Sequence, residues 1–118
     1  MVIQVLPTTL LNQTVWVSID PSDPCRATVD DIEVQIPVRV VWILPLGYQF
    51  TASGVDGLAG PDFEDGRFDG PGRRAYRWTA RSRGSQNWLN YSLSFEYVDA
   101  SGVLRSCVAP NLKIINRS

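Results

Sequence analysis

The fold of this chain is decided by the stretch Asn90-Tyr-Ser-Leu-Ser-Phe-Glu-Tyr-Val98, in which polar and apolar residues alternate without a break. Successive side chains of a strand point to opposite faces, so one face carries Tyr91, Leu93, Phe95 and Tyr97 and the other is polar. No stretch long enough for a helix shows the apolar period of about 3.6 residues that marks an amphipathic helix. The sequence therefore predicts an all-β protein.

Weaker alternation along the rest of the chain, interrupted by proline and glycine turns, predicts about eight strands in total. Residues 38–44 are apolar on both faces apart from Arg39, which is typical of a central strand covered on both sides. Short strands separated by turns favour an antiparallel sandwich of two sheets with immunoglobulin-like or jelly-roll topology, in a single domain spanning residues 1–118. The candidates are 2–6, 14–19, 27–36, 38–44, 48–52, 75–83, 90–98 and 103–108, followed by a short strand at 112–115.

Composition limits the classes of function. The chain has 118 residues and a net charge of -1, so it has no global attraction to nucleic acid or to a membrane surface. It has no histidine, which excludes Ser/His and Cys/His nucleophile pairs and every histidine-based metal site. A carboxylate pair could still hydrolyse a glycoside, but the acids concentrate in a glycine-rich segment that cannot hold them in fixed geometry. We therefore expect a protein that is not an enzyme.

Two features bear on the compartment. No segment approaches the length of a membrane span, and the start Met1-Val-Ile-Gln-Val-Leu-Pro7 lacks the charged residues and long apolar core of a signal peptide. These features predict a cytoplasmic protein. A disulfide between Cys25 and Cys107 would predict an extracellular one, since cytosolic thiols are kept reduced.

Cys25 and Cys107 each flank the end of a predicted strand, which favours a disulfide between them. The alternative is two buried free thiols acting as small apolar residues. The order Cys25, Trp42 and Cys107 also occurs in immunoglobulin domains. However, Cys25 lies in a proline-rich turn, and Arg105 stands where such domains have a tyrosine. Only the sandwich architecture is retained from that comparison.

Aromatic and turn residues recur in a frame that runs through the chain. The frame consists of Val40-Val-Trp42-Ile-Leu44, Gly47-Tyr-Gln-Phe50, Gly54-Val55, Tyr76-Arg-Trp78, Tyr91, Phe95-Glu-Tyr97, Pro110 and Ile114-Ile-Asn116. In these positions the chain resembles a group of small uncharacterised bacterial proteins known as DP-EP proteins, over most of residues 20–116. Ala109-Pro110 stands where that group has Asp-Pro before the closing strand. The resemblance implies a bacterial β-sandwich and implies no activity.

The glycine-rich and acidic segment 54–72 is the first candidate site. Long loops without secondary structure are usually functional or mobile, and we expect this one to be the most mobile part of the chain unless it docks on the arginine-rich strand or on a neighbouring molecule. Carboxylates on flexible backbone can bind Ca²⁺, the one cofactor that the sequence suggests. The spacing in Asp62-Phe-Glu-Asp-Gly66 misses the EF-hand pattern, which favours a solvated loop anchored by Phe63 and Phe68. The carboxylates of the segment are Asp56, Asp62, Glu64, Asp65 and Asp69.

Five arginines follow within 11 residues and form the second candidate site. Rows of arginine bind phosphate or carboxylate groups, and with aromatic residues nearby they bind single-stranded nucleic acid. On a strand, however, Arg77, Thr79 and Arg81 share one face, and Tyr76 and Trp78 lie on the other. This pattern disfavours nucleic acid and favours a structural strand paired with its own acidic segment. The five arginines are Arg73, Arg74, Arg77, Arg81 and Arg83.

Exposed aromatic rings would provide a third candidate site, a platform for a sugar. Trp42 and Trp78 alternate with core positions, so Trp88, which follows a polar turn, is the one tryptophan expected to be exposed. We expect a non-enzymatic interaction or self-assembly module that binds a protein partner or a second copy through sheet edges and loops. The alternative is a ligand-binding module for carbohydrate or calcium that uses the segment 54–72 and exposed aromatics.

Overall fold

Strands account for most of the structure. A computed structural model describes residues 10–118, and 62% of these residues lie in strands, with no α-helix among them. None of the described residues forms a helix of the length and apolar character that a membrane crossing requires. The prediction of an all-β fold is confirmed. The described part of the chain contains 10 strands: β1 (Asn12–Trp16), β2 (Ser18–Asp20), β3 (Asp23–Thr28), β4 (Ile32–Val34), β5 (Arg39–Ile43), β6 (Tyr48–Asp56), β7 (Phe63–Phe68), β8 (Ala75–Ala80), β9 (Trp88–Val98) and β10 (Leu104–Asn116).

The strands form three sheets. Sheet I has the order β1-β5-β8-β7, sheet II has the order β4-β10-β9-β6, and β2 and β3 form a small hairpin sheet. Strand β1 runs parallel to β5 and β4 runs parallel to β10, whereas all other described pairs are antiparallel. Parallel neighbours need a crossover connection, which the hairpin sheet and β4 supply between β1 and β5. The prediction of a purely antiparallel fold of about eight strands is therefore wrong in strand number and in these two pairings.

The strongest patterns in the sequence correspond to observed strands. Predicted strands 38–44, 75–83 and 90–98 match β5, β8 and β9, with small differences at their ends. Val41 and Trp42, on opposite faces of β5, are both buried, as expected for a central strand covered on both sides. The predicted strand 2–6 lies outside the described residues.

Weaker patterns are divided or merged in the structure. The predicted strand 14–19 is split into β1 and β2, and 27–36 is split into β3 and β4 around Asp30-Asp31. The predicted strands at 103–108 and 112–115 form one strand, β10, with an irregularity between Ala109 and Leu112. Asn111 has a φ of 60° there, a left-handed conformation that asparagine tolerates better than most residues.

The segment 54–72 is not the structureless loop that its glycines and acids predict. Strand β6 extends to Asp56, and β7 covers Phe63–Phe68, where it pairs with β8. Phe63 is buried, Phe68 is half-buried, and a bulge lies between Glu64 and Arg67. Backbone hydrogen bonds to β8, which lies later in the chain, are the reason that this segment forms a strand.

Sheets I and II contribute to one apolar core. The indole nitrogen of Trp42 donates a hydrogen bond to the hydroxyl of Tyr91 at 3.2 Å, and that of Trp78 donates to the carbonyl oxygen of Val55 at 2.7 Å. Each bond joins a strand of sheet I to a strand of sheet II. The bonds also satisfy both indole N–H groups, which would be costly to bury without a partner.

A disulfide joins Cys25 of β3 to Cys107 of β10, with the two Cα atoms 5.1 Å apart. The predicted bridge is confirmed, and the alternative of two free thiols is wrong. A two-stranded hairpin is at best marginally stable alone. The hairpin sheet is held by this bond to sheet II and by Ile19 and Ala27, which pack against the core.

Candidate functional site

Strand β8 carries one arginine of the row, Arg77, on its outer face. Tyr76, Trp78 and Ala80 are buried, whereas Arg77 and Thr79 between them are half-buried. The alternation predicted from the sequence is confirmed for this strand. Arg77 therefore lies on the face of sheet I that points away from the core. Arg81 and Arg83, which the sequence places on the same strand, instead follow its end at Ala80, so the prediction of one arginine face is wrong beyond Arg77.

Acidic residues of β7 and of the turn after it lie beside these arginines. Arg77 Nη1 is 3.9 Å from Asp69 Oδ1, and Arg81 Nη2 is 3.2 Å from Glu64 Oε2. Because β7 and β8 are neighbours in sheet I, opposite charges meet across the strand pair. This geometry agrees with an arginine strand paired with its own acidic segment.

The other arginines of the row make different contacts. Arg73 Nη2 donates a hydrogen bond to Glu96 Oε1 at 3.3 Å, and Arg74 Nε donates to the carbonyl oxygen of Leu44 at 2.8 Å. Arg83 is exposed in the turn after β8 and has a φ of 60°. The five guanidinium groups therefore have separate surroundings and do not form one clamp for a phosphate group.

The carboxylates of the segment 54–72 are also dispersed. Asp56 Oδ1 accepts a hydrogen bond from the backbone N–H of Gly57 at 3.0 Å, and Asp65 pairs with Arg67. Among residues 10–118, no group of three or more Asp, Glu, Cys or His side chains is arranged to hold a metal ion. The acids that the sequence suggests as calcium ligands thus have separate partners and do not face a common point.

Asp62 belongs to a buried polar network. Ser85 donates hydrogen bonds to its carboxylate from the backbone nitrogen and the hydroxyl, at 2.8 and 2.6 Å. Asn116 Nδ2 donates to the carbonyl oxygens of Asp62 and Arg81, at 3.0 and 2.8 Å. The network joins the turn before β7, the turn after β8 and the end of β10, so we assign it a structural role. Sequence analysis missed it because the partners of Asp62 are 23 and 54 residues away.

The tryptophans divide into two buried and two exposed side chains. Trp42 and Trp78 are buried, and Trp88 is 45% exposed, as predicted. Trp16, however, is 68% exposed, so the expectation of a single exposed tryptophan is wrong. The signal was present, because Trp16 stands between two valines that both face inward.

A cleft of about 350 Å³ opens where strands β6 and β9 pair at one end of sheet II. Tyr48 and Tyr97 face each other across this pair, with ring centroids 5.5 Å apart and ring planes inclined by 44°. Val98 and Leu104, a pair between β9 and β10, are 62% and 54% exposed and form an apolar rim. We call this site the tyrosine cleft; the residues that define it are Tyr48, Gln49, Glu96, Tyr97, Val98 and Leu104.

Gln49 and Glu96 are the adjacent register pair to Tyr48 and Tyr97, so their side chains lie on the opposite face of sheet II from the two rings. The side chain of Glu96 is 12% exposed, and its Oε1 accepts hydrogen bonds from Gln49 Nε2 at 2.6 Å and from Arg73 Nη2 at 3.3 Å. Both donors use one carboxylate oxygen, so Oε2 keeps its capacity to accept. Burial raises the pKa of the Tyr48 hydroxyl, and the neighbouring Tyr97 raises it further.

A second candidate surface is the outer edge of β1. The carbonyl oxygen of Leu11 accepts a hydrogen bond from the backbone N–H of Arg39, and the N–H of Val17 donates to the carbonyl oxygen of Ile43. The odd-numbered residues of β1 and its flanks therefore bond to β5. Backbone groups alternate in direction along a parallel ladder. The even-numbered residues therefore point their N–H and C=O groups away from β5, where no described strand pairs with them. These residues are Asn12, Thr14 and Trp16.

A groove of about 340 Å³ runs beside this edge, between β1 and residues 29–33. Gln13 Nε2 spans it and donates a hydrogen bond to the carbonyl oxygen of Glu33 at 3.1 Å. Asp30 and Asp31 line the groove and are exposed, which makes this side of the molecule acidic. Neither the edge nor the groove was singled out by sequence analysis, because both depend on how sheets I and II are placed.

Comparisons with known proteins add no family to these observations. No protein-family model matches the chain, and a search of curated proteins found no match. The resemblance to DP-EP proteins therefore stays a prediction from the sequence.

Proposed function

We propose that the chain is a non-enzymatic β-sandwich interaction module that assembles with a second copy of itself. Sheets I and II are the two layers of the sandwich. The apolar core that both sheets share supports this architecture. The outer edge of β1 is the contact surface. The observation that carries this proposal is the outward direction of the backbone groups of Asn12, Thr14 and Trp16.

The geometry of β1 suits pairing with an identical strand. If two copies of Asn12–Trp16 pair antiparallel around Thr14, each outward-pointing residue meets an outward-pointing residue of the other copy. Asn12 then lies opposite Trp16, and Thr14 lies opposite Thr14. This arrangement has a twofold axis, as the common isologous dimers do. It joins the sheet I of each copy into one continuous sheet.

Exposed apolar side chains at the same edge support this proposal. Leu11 is 67% exposed and Trp16 is 68% exposed. An open strand edge with apolar side chains is a template for pairing unless charge, proline or a bulge blocks it. Strand β1 itself contains no charged residue and no proline.

The disulfide supports a location outside the cytosol. Such bonds persist in secreted, periplasmic or cell-surface proteins and are rare among reduced cytosolic ones. We therefore propose an extracellular or periplasmic module, and the resemblance to DP-EP proteins supports a bacterial one. The cytoplasmic location predicted from the N-terminal sequence is the competing proposal.

Sedimentation analysis over a range of concentrations tests the assembly. We expect the wild-type protein to form a dimer and the variant Thr14→Pro to remain a monomer. The N–H of Thr14 makes no bond to β5, and proline is tolerated on edge strands, so the substitution blocks edge pairing without breaking sheet I. Thr14→Ala is the matched control, because it keeps the N–H and should still dimerise.

Salt gives an independent readout of the same contact. Asp30 and Asp31 of both copies lie near the joined edge, so screening of their repulsion should strengthen the dimer. A wild-type protein that stays monomeric at high concentration and high salt overturns the proposal. So does a dimer that Thr14→Pro leaves intact.

Ligand binding is the alternative function. Calcium binding has little support, because the carboxylates of the segment 54–72 have separate partners. A melting scan with and without Ca²⁺ tests it, since a ligand that binds the folded state raises the melting temperature. Carbohydrate binding is supported by the half-exposed ring pair of Tyr48 and Tyr97.

A further inference from the structure

We propose that Asp56 is a site of spontaneous modification, at which the residue isomerises to isoaspartate through a cyclic imide. The reaction starts when the backbone nitrogen of the next residue attacks the side-chain carboxyl carbon of an aspartate. It needs no enzyme and no cofactor, and a glycine in the next position favours it because glycine has no side chain to obstruct the approach. Asp56 lies at the end of β6 in sheet II, so the inference goes beyond self-assembly through β1 and does not depend on it.

Three Asp-Gly pairs offer the residues that this reaction needs, and all three lie within the segment 54–72. They are Asp56-Gly57, Asp65-Gly66 and Asp69-Gly70. In an unfolded chain the three pairs should react at similar rates, because the two reacting residues are the same in each. A difference between them in the folded chain therefore comes from the fold, which determines how each backbone nitrogen is placed against its carboxyl group.

In the first pair the reacting groups are already in contact. The backbone N–H of Gly57 donates a hydrogen bond to Asp56 Oδ1 at 3.0 Å, and Oδ1 is bonded to Cγ, the carbon that the nitrogen attacks. No other aspartate among residues 10–118 accepts a hydrogen bond from the backbone N–H of the residue that follows it. Both residues are exposed, so water reaches the site. Holding the reacting atoms close together favours cyclisation at this pair.

The carboxylates of the other two pairs are directed toward arginines. Asp65 pairs with Arg67, and Asp69 Oδ1 is 3.9 Å from Arg77 Nη1. Asp56, by contrast, makes no ion pair with any residue that the structure describes. Cyclisation at Asp65 or Asp69 requires the carboxylate to leave its arginine and turn toward the next nitrogen, whereas at Asp56 it requires only a small movement.

The hydrogen bond also places the proton for the first step. As the bond between Gly57 N and Asp56 Cγ forms, the N–H bond and one Cγ–O bond break. The leaving oxygen takes the amide proton and one proton from solvent, and it departs as water. A second water then attacks the main-chain carbonyl carbon of Asp56, the bond from this carbon to Gly57 N breaks, and a carboxylate and a proton are formed. The chain now runs through Cβ and Cγ of this residue, and its mass is unchanged.

Isomerisation lengthens the main chain by one carbon atom at a point where β6 makes contacts with both sheets. Asp56 pairs with Ser92 in the ladder between β6 and β9. The carbonyl oxygen just before it, that of Val55, accepts the hydrogen bond from the indole of Trp78 in sheet I at 2.7 Å. The added atom shifts this end of β6 relative to both partners. We therefore expect the isomerised chain to have a lower melting temperature than the unmodified chain.

Prolonged incubation of the folded full chain in neutral buffer tests the proposal. Endoproteinase Asp-N cleaves before aspartate but not before isoaspartate, so the loss of its cut before Asp56 measures the modification by mass spectrometry. We expect isoaspartate to accumulate at Asp56 about threefold or more faster than at Asp65 or Asp69. In a chain that is unfolded in urea with a reductant, we expect the three rates to become similar.

Two variants separate the sites. Asp56→Glu should remove most of the isoaspartate, because the longer side chain cannot form the same ring. Asp69→Glu is the matched control, since it removes another Asp-Gly pair and should leave the accumulation at Asp56 unchanged. Methylation by protein isoaspartyl methyltransferase measures the total isoaspartate of each variant, and circular dichroism shows that each one is folded.

The rates in the folded chain decide the outcome. Equal rates at the three pairs, a faster rate at Asp65 or Asp69, or the absence of isoaspartate overturns the proposal. Accumulation in folded Asp56→Glu that equals that of the wild type also overturns it. A melting temperature that stays constant while Asp56 isomerises overturns the expected effect on β6.

Discussion

Trp42 and Tyr91 lie 49 residues apart in the sequence, and the indole of the first donates a hydrogen bond to the hydroxyl of the second at 3.2 Å in the core. Burial raises the pKa of Tyr91 to about 12, although the bond from Trp42 acts in the opposite direction. The pKa of a tyrosine in an unfolded chain is about 10. The folded state therefore holds the proton of Tyr91 more tightly than the unfolded state does.

The first prediction is a loss of stability at alkaline pH. Because the folded pKa is raised, the stabilisation from neutral Tyr91 is complete below about pH 10 and decreases as the pH rises toward 12. We expect this residue to contribute a decrease of roughly 2 kcal/mol over that interval. Urea denaturation at a series of pH values measures it. The variant Tyr91→Phe should start from a lower stability but decrease less steeply, and parallel curves for the two proteins would contradict the prediction.

The second prediction concerns the disulfide. The bridge spans 82 residues, and on the chain-entropy model a loop of this length stabilises the folded state by roughly 4–5 kcal/mol. The double variant Cys25→Ala and Cys107→Ala should lower the free energy of unfolding by an amount of that order, which denaturation in urea measures. Mass spectrometry after unfolding and alkylation without reductant checks the bond itself. Two alkylated thiols in the wild-type protein would contradict it.

The third prediction concerns the arginine strand. Both ion pairs, Arg77 with Asp69 and Arg81 with Glu64, are partly exposed, and such pairs are worth no more than about 1 kcal/mol each. Replacing Arg77 and Arg81 with glutamine should therefore change stability little. A double-mutant cycle of Arg81→Gln and Glu64→Gln isolates the interaction free energy of the second ion pair. Salt-sensitive binding of an oligonucleotide that disappears in the double variant would show instead that the row recognises nucleic acid.

The fourth prediction concerns a glycine on which an aromatic ring packs. Gly54 has a φ of 52°, and a Cβ atom added to it would overlap the ring of Tyr76. Gly47 also has a positive φ, 92°, but a Cβ atom there would meet no neighbour within 4 Å. Both substitutions strain a backbone with positive φ, but only Gly54→Ala also overpacks the core. Gly54→Ala should therefore lower the free energy of unfolding by about 1–3 kcal/mol more than Gly47→Ala does. Equal unfolding midpoints in urea would show that the ring of Tyr76 moves aside freely.

The parts of the fold that depend on local alternation were predictable from the sequence. Strands β8 and β9 place large apolar side chains at alternate positions, and β5 is a short run that is apolar on both faces; these patterns are sufficient to identify the three strands. Strand β7 was not predictable in this way, because its sequence Phe-Glu-Asp-Gly-Arg-Phe is polar between its ends. Its backbone hydrogen bonds to β8 make it a strand.

The candidate sites were harder to predict for a related reason. Tyr97 continues the alternation of β9 and was assigned to the core face, but it lies at the end of the strand pair and is half-exposed. Its partner Tyr48 is 49 residues earlier in the chain, and their pairing depends on the register between β6 and β9. Alternation predicts which face a side chain occupies and does not predict where that face opens to solvent.

The bond between Cys25 and Cys107 also determines how the chain carries mechanical load. Tension applied at Leu10 and at Ser118 passes from β3 directly to β10 through the two sulfur atoms. The 82-residue loop between the cysteines is then bypassed and cannot be pulled straight while the bond is intact. That loop contains β4 to β9, and so both central strands of sheet I and most of sheet II. Stretching can therefore extend only residues 10–24 and 108–118, so the length that a pulled chain gains is limited to these two segments.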